Sequence, residues 1–79
     1  MFLDQLKPGT AAQIVAVDWA SLPVGDARRL RALGLDEGAQ VTLAHKGPFG
    51  LSDPLAVTVD RTMIALRRVH AAAMTVEQA

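Results

Sequence analysis

"DARRLRALGLDEGAQVTL", residues 26–43, holds a helix, its stop signal, a turn and the start of a strand in one short run. Asp26 is placed to accept from the free amides of a first helical turn, so the pattern predicts a helix opening there with Asp26 as N-cap. Ala27, Leu30 and Leu33 recur at intervals of three and form one apolar stripe, while Arg28, Arg29 and Arg31 point elsewhere. Gly34 suits the left-handed position just past a helix end, and Leu35 then meets Leu30 in the contact expected of a Schellman motif. Asp36 and Glu37 make a turn closed by Gly38, read as the last position of a type I turn. From Ala39 to Lys46 the chain alternates, with Val41, Leu43 and His45 on one face and Gln40, Thr42 and Lys46 on the other, which predicts a half-buried strand.

Before this stretch, Leu3 and Leu6 sit at helical spacing ahead of Lys7-Pro8-Gly9, a single turn that places two leucines on the core. Thr10 to Asp18 reads as a strand, with Ala12, Ile14 and Ala16 on one face and Val15 and Val17 on the other, and Ala20 to Gly25 reads as a loop. After it, residues 47–54, "GPFGLSDP", concentrate glycine and proline and predict an exposed excursion with Phe49 and Leu51 at its tip. Leu55, Val57 and Val59, then Ile64 and Leu66 across Asp60 and Arg61, give a hairpin pattern, although Asp-Arg is a poor pair for a tight turn. Arg68 to Ala73 reads as a short helix, Met74 to Val76 as a last strand, and Glu77 to Ala79 as a frayed end.

The expected fold is therefore mainly β, a small, partly open β-barrel of five short strands closed on itself to hide its edges. One short α-helix lies between the first two strands, with helical turns near both ends. At 79 residues the chain is one domain, 1–79, small enough to bury only about 60% of its unfolded surface. Hydrophobic residues make up 51% and aromatic ones 4%, so the core is built from aliphatic side chains.

Eight basic residues balance eight acidic ones, which removes any general attraction to phosphate backbones or anionic membranes. The absence of cysteine excludes disulfides and thiol chemistry and fits a reducing compartment, with the cytoplasm as the expected location. "MFLDQLKPG" lacks the basic start and apolar run of a signal peptide, and no segment approaches the roughly 18 apolar residues that span a bilayer.

No nucleophile has a base placed beside it, and the carboxylates fall in caps, turns and ends, so no catalytic residues are assigned and the chain is expected not to be an enzyme. His45 and His70 are the two imidazoles and lack ligand spacing. They are weak metal candidates, read as lining a strand face and sitting on a surface helix turn. No cofactor is required by the sequence, and a divalent metal such as Fe2+ stays open. Arg28, Arg29 and Arg31 offer a basic patch for a protein partner, and Phe49 and Leu51 an apolar contact. Charge reversal at Arg28 and Arg31 is expected to spare the fold, because exposed charges contribute little stability. Nucleic-acid binding ranks below protein binding, since a neutral, aromatic-poor chain makes a weak stacking platform.

In order along the chain, "LDQLKPG", "AQIVAV", "RRLRALGLDEGAQVTL", "SDPLAVTV" and "IALRRVHAAAMTV" make this sequence resemble the FeoA family from end to end. The matching positions are Leu3, Leu6 and Gly9, Arg29 to Gly38, Asp53 and Pro54, and Ile64 to Arg67 with Ala71 and Val76. It departs at His70, where family members often carry Glu, and at Ser52, where they often carry Gly. The resemblance implies a small cytoplasmic SH3-like accessory of bacterial ferrous iron uptake that contacts the cytosolic GTPase portion of the FeoB membrane transporter. That partner would recruit it to the inner face of the membrane, with no insertion of its own; a weak homo-oligomer is compatible. The alternatives are an SH3-like domain related to the C-terminal domain of iron-dependent repressors, and an RNA-binding SH3-like module. A chain starting at Met1 without upstream domains is expected to be a standalone module rather than a repressor.

Overall fold

The computed structural model describes residues 1–47 and 54–78. Phe49, Leu51 and Ser52 lie outside the described residues. Five strands, β1 (Ala11–Val17), β2 (Gln40–Lys46), β3 (Leu55–Val59), β4 (Thr62–Leu66) and β5 (Met74–Gln78), form one antiparallel sheet in the order β4-β3-β2-β1-β5. Helix α1 (Val24–Ala32) connects β1 to β2, and the single turn α2 (Arg68–Ala71) connects β4 to β5. Short 3-10 turns occupy Leu3–Gln5 and Trp19–Ser21.

The sheet curls without closing. Ile64 and Leu66 of β4 share one buried cluster with Met74 and Val76 of β5, yet β4 and β5 are the two edges and form no ladder with each other. The expected partly open barrel is found in the burial, which wraps the sheet round one core, and only its expected closure is corrected: hydrogen bonding leaves the sheet open. Leu3 and Leu6 are both fully buried in this core, as their spacing predicts.

Two bulges reset the strand alternation. In β1 the register slips between Ile14 and Ala16, so Val15 is the extra residue, Ala16 turns outward and Val17 turns in. In β2 it slips between Leu43 and His45, so His45 leaves the face of Val41 and Leu43 and becomes exposed. Both expected face assignments past these points are therefore reversed. The hairpin between β3 and β4 does form, through a two-residue turn in which Asp60 (φ 48°) and Arg61 (φ 69°) both take left-handed backbone, the type I′ pattern. Glu77 and Gln78, read as frayed, pair with Gln13 and Ala12.

The end of α1 follows its sequence. Gly34 has φ +88°, the Leu35 N–H donates to the Leu30 carbonyl at 2.9 Å, and the Gly34 N–H donates to the Arg31 carbonyl at 3.0 Å. These are the two bonds of a Schellman motif, and Leu30 and Leu35 are both fully buried. Leu33, expected on the same stripe, is 37% exposed. The start differs: Pro23 is the N-cap and the helix begins at Val24, so Asp26 lies inside the first turn and caps nothing. Gly38 (φ +93°) occupies the third, not the last, position of the turn closed by the Ala39 N–H on the Asp36 carbonyl, which is the type II pattern. That conformation aims the Gly38 N–H at the Ile14 carbonyl, 2.8 Å away, beside the β1 bulge.

Candidate partner-binding site

Helix α1 lays Ala27 and Leu30 on the core and leaves Arg28, Arg29 and Arg31 exposed. Arg28 and Arg31, three residues apart, share one helix face, and Arg29 lies about 100° round from Arg28. The three do not act alike. The Arg31 guanidinium lies 4.3 Å from the centre of the Trp19 ring, a cation–π contact. The Trp19 indole N–H donates to the Glu37 carboxylate, 3.1 Å to the nearer oxygen. Arg31, Trp19 and Glu37 thus tie the end of α1, the turn after β1 and the turn before β2 into one surface cluster. Arg28 and Arg29 have no ion pair among the described residues and face solvent.

Arg31 is therefore a fastener, and reversing its charge would set a carboxylate against both the indole face and Glu37. Charge reversal at Arg28 and Arg31 is expected to spare the fold, and the two differ in that only Arg31 has a contact to lose; the cluster is missed by local reading because Trp19 and Glu37 are eighteen residues apart. Apolar side chains flank the free arginines, with Val24 69% exposed at the start of α1 and Leu33 37% exposed at its end.

The Glu37 carboxyl is held below the ordinary glutamate range, first by its own backbone N–H, then by the Trp19 indole, the Val17 backbone and Arg31, with burial opposing. A depressed carboxyl contributes stability above its unfolded pKa and loses it as pH falls through the folded one, so this cluster should loosen only in acid. In an NMR titration the Glu37 carboxyl carbon is expected to show a midpoint below that of an unstructured glutamate. Trp19→Phe should move it back up; identical midpoints in both proteins would mean that the indole does not hold the carboxylate.

Neither histidine joins a group of three or more potential ligands among the described residues. His45 is exposed, and its Nδ1–H donates to the Lys46 carbonyl at 3.2 Å. His70 is buried, 3% exposed, rather than on the surface of its turn. Its Nε2 lies 3.1 Å from Oδ2 of Asp26, and its Nδ1 is buried without a partner. A bare Nδ1 puts the proton on Nε2, facing the carboxylate. A metal on Nε2 would instead move that proton to Nδ1, where no acceptor waits, whereas ligating histidines usually donate their other N–H. The pair fits a hydrogen bond and does not fit a metal, and no group of three or more potential ligands occurs among the described residues. Pro23 carries the signal that would have relocated the helix start and released Asp26 for this bond, because proline favours the first positions of a helix.

The FeoA domain family matches residues 1–78. The solution structure of the FeoA protein from Chlorobium tepidum superposes with a TM-score of 0.84 at 32% identity, covering 99% of this chain and 70% of that one. FeoA of Stenotrophomonas maltophilia, solved with zinc and described as a procaryotic SH3 domain protein, superposes with a TM-score of 0.78 at 39% identity, covering 98% of this chain and 89% of its own. The manganese regulator SloR reaches 0.78 at 11% identity, over 100% of this chain and 34% of that one, which shows the fold alone. Among curated proteins, 90% of this chain is similar, at 41% identity, to the bifunctional glutamine synthetase adenylyltransferase/adenylyl-removing enzyme of Xanthomonas oryzae pv. oryzae, of which it spans 8%.

Proposed function

The chain belongs to the FeoA family, and on that premise we propose that it is a cytoplasmic, non-enzymatic accessory of ferrous iron uptake that binds the cytosolic GTPase part of a FeoB-type transporter and supports or regulates transport. Ferrous iron enters this reading as the transporter's cargo. The reading rests on the outer face of α1, where the free Arg28 and Arg29 lie between the exposed Val24 and Leu33. Arginine beside exposed aliphatic surface is the composition of protein interfaces, and a chain of zero net charge has little general pull on nucleic acid. No helix among the described residues is long and apolar enough to cross a membrane, so contact with the bilayer would come through the transporter.

Calorimetric titration into the purified GTPase domain, with and without nucleotide and ferrous iron, is expected to give saturable binding. The double variant Arg28→Glu, Arg29→Glu should weaken that binding at least ~10-fold while shifting Tm by only a few degrees, because both side chains are exposed and neither has an ion pair to lose among the described residues. Absence of binding under every condition would overturn the partner. Undiminished binding of the double variant would remove α1 from the interface.

A further inference from the structure

The two edges of the open sheet are managed differently. The edge of β5 is covered by the chain's own start: the Val76 N–H donates to the Met1 carbonyl at 2.8 Å, and Phe2 bridges to Thr75. The edge of β4 has β3 on one side and no strand on the other among the described residues. In a hairpin with a two-residue turn the pair flanking the turn is hydrogen-bonded, and pairs alternate from there. Val59 with Thr62, Val57 with Ile64 and Leu55 with Leu66 are therefore the bonded pairs, and the N–H and C=O groups of Met63 and Ala65 point away from the sheet.

Within the strand itself the usual deterrents to pairing are missing among the described residues. The strand Thr62–Leu66 contains no charge, no proline and no bulge, Met63 is 60% exposed and Ala65 is exposed. Arg61 and Arg67 stand one at each end of it, both exposed and without an ion pair among the described residues. Asp60 lies on the β3 side of the turn. A second copy is a poor occupant. In the antiparallel register that pairs Met63 of one copy with Ala65 of the other, and so uses every outward group, Arg61 falls opposite Arg67 at both ends, and like charges directly opposite are destabilising.

We propose that the edge of β4 is a docking site for an extended segment of another protein, apolar in its middle and acidic at both ends, which adds to the sheet as a sixth strand. Backbone pairing with Met63 and Ala65 supplies the affinity and the two arginines supply the choice of partner. The site is separate from α1, and its fate is independent of the transporter reading.

The test is NMR on the full chain with a seven-residue probe peptide bearing acidic residues at its first and last positions and alternating valine and threonine between, against a control with lysine at both ends. The acid-ended peptide should slow exchange of the Met63 and Ala65 amides by roughly tenfold or more and leave the Val76 amide unchanged. Ala65→Pro removes an outward N–H and no ladder bond, so it should keep the fold and abolish the effect. Arg61→Asn with Arg67→Glu, which leaves the strand itself untouched, should weaken binding and reverse the preference between the peptides. Equal binding of both peptides, protection elsewhere, no binding at millimolar peptide, or concentration-dependent protection of β4 by the protein alone would each overturn the proposal.

Discussion

Gly34→Val is expected to cost about 2–3 kcal/mol, because a β-branched residue is strained in left-handed backbone. In a domain of this size that lowers Tm by roughly 10–20 °C. Gly34 has φ +88°, and a Cβ placed there would meet Val59 Cγ1 at 3.7 Å, ordinary van der Waals contact. Space is therefore not the obstacle to the first carbon; the backbone angle is. The substitution acts on more than one residue, since the same φ sets the Leu35 N–H on the Leu30 carbonyl and seats both leucines in the core. A graded series separates the causes. Gly34→Asn should cost least, because asparagine visits left-handed backbone readily. Gly34→Ala should fall between, near 1 kcal/mol. A valine variant melting within a few degrees of the native chain would mean that α1 does not stop through this motif.

That stop was readable in the sequence because its chemistry is local: one glycine, two leucines and a fixed offset. The 3-10 leucine pair and the existence of all five strands were readable for the same reason. The two bulges were not. An alternating strand announces its faces only while its partner keeps step, and Val15 and Ala44 are ordinary strand residues whose status as extra residues is decided by β5 and β3. One added residue reverses every face beyond it, which is why simple alternation puts Ala16, Val17 and His45 on the wrong face. Asp60 and Arg61 show the converse. Aspartate visits left-handed backbone readily and arginine does not, yet the pairing of β3 with β4 imposes it on both. Whether β4 would meet β5 is likewise absent from any local pattern, since it depends on how far the sheet curls.

The candidate site divides along the same line. Exposure of the α1 arginines followed from helix periodicity, whereas the separation of Arg31 from Arg28 and Arg29 depends on Trp19 and Glu37, which reach it through the fold. A local rule also misplaced Asp26. The sequence pattern makes its carboxylate a cap because capping is a common duty of an aspartate at a helix start, and its actual partner is forty-four residues away.

That partner supplies the second large effect. Asp26→Ala is expected to cost about 1–3 kcal/mol, since it leaves the Nε2–H of a buried imidazole without its acceptor while Nδ1 already has no partner. The Asp26 side chain is 44% exposed, so water reaches that end of the bond and holds the cost toward the lower part of the range. His70→Leu removes both ring nitrogens together and should change stability by less than about 1 kcal/mol, because replacing a polar pair's buried member with apolar volume abolishes the desolvation penalty along with the bond. The order is the distinctive expectation: cutting the exposed partner hurts more than removing the buried one. In the His70→Leu background, Asp26→Ala should then cost almost nothing, and the difference measured by denaturant melts is the coupling of α1 to α2 through this bond. Equal costs of Asp26→Ala in the two backgrounds would show that the bond adds no stability. A His70→Leu variant that loses several kcal/mol would show instead that the imidazole fills its site in a shape leucine cannot reproduce, making His70 a packing residue first and a tether second.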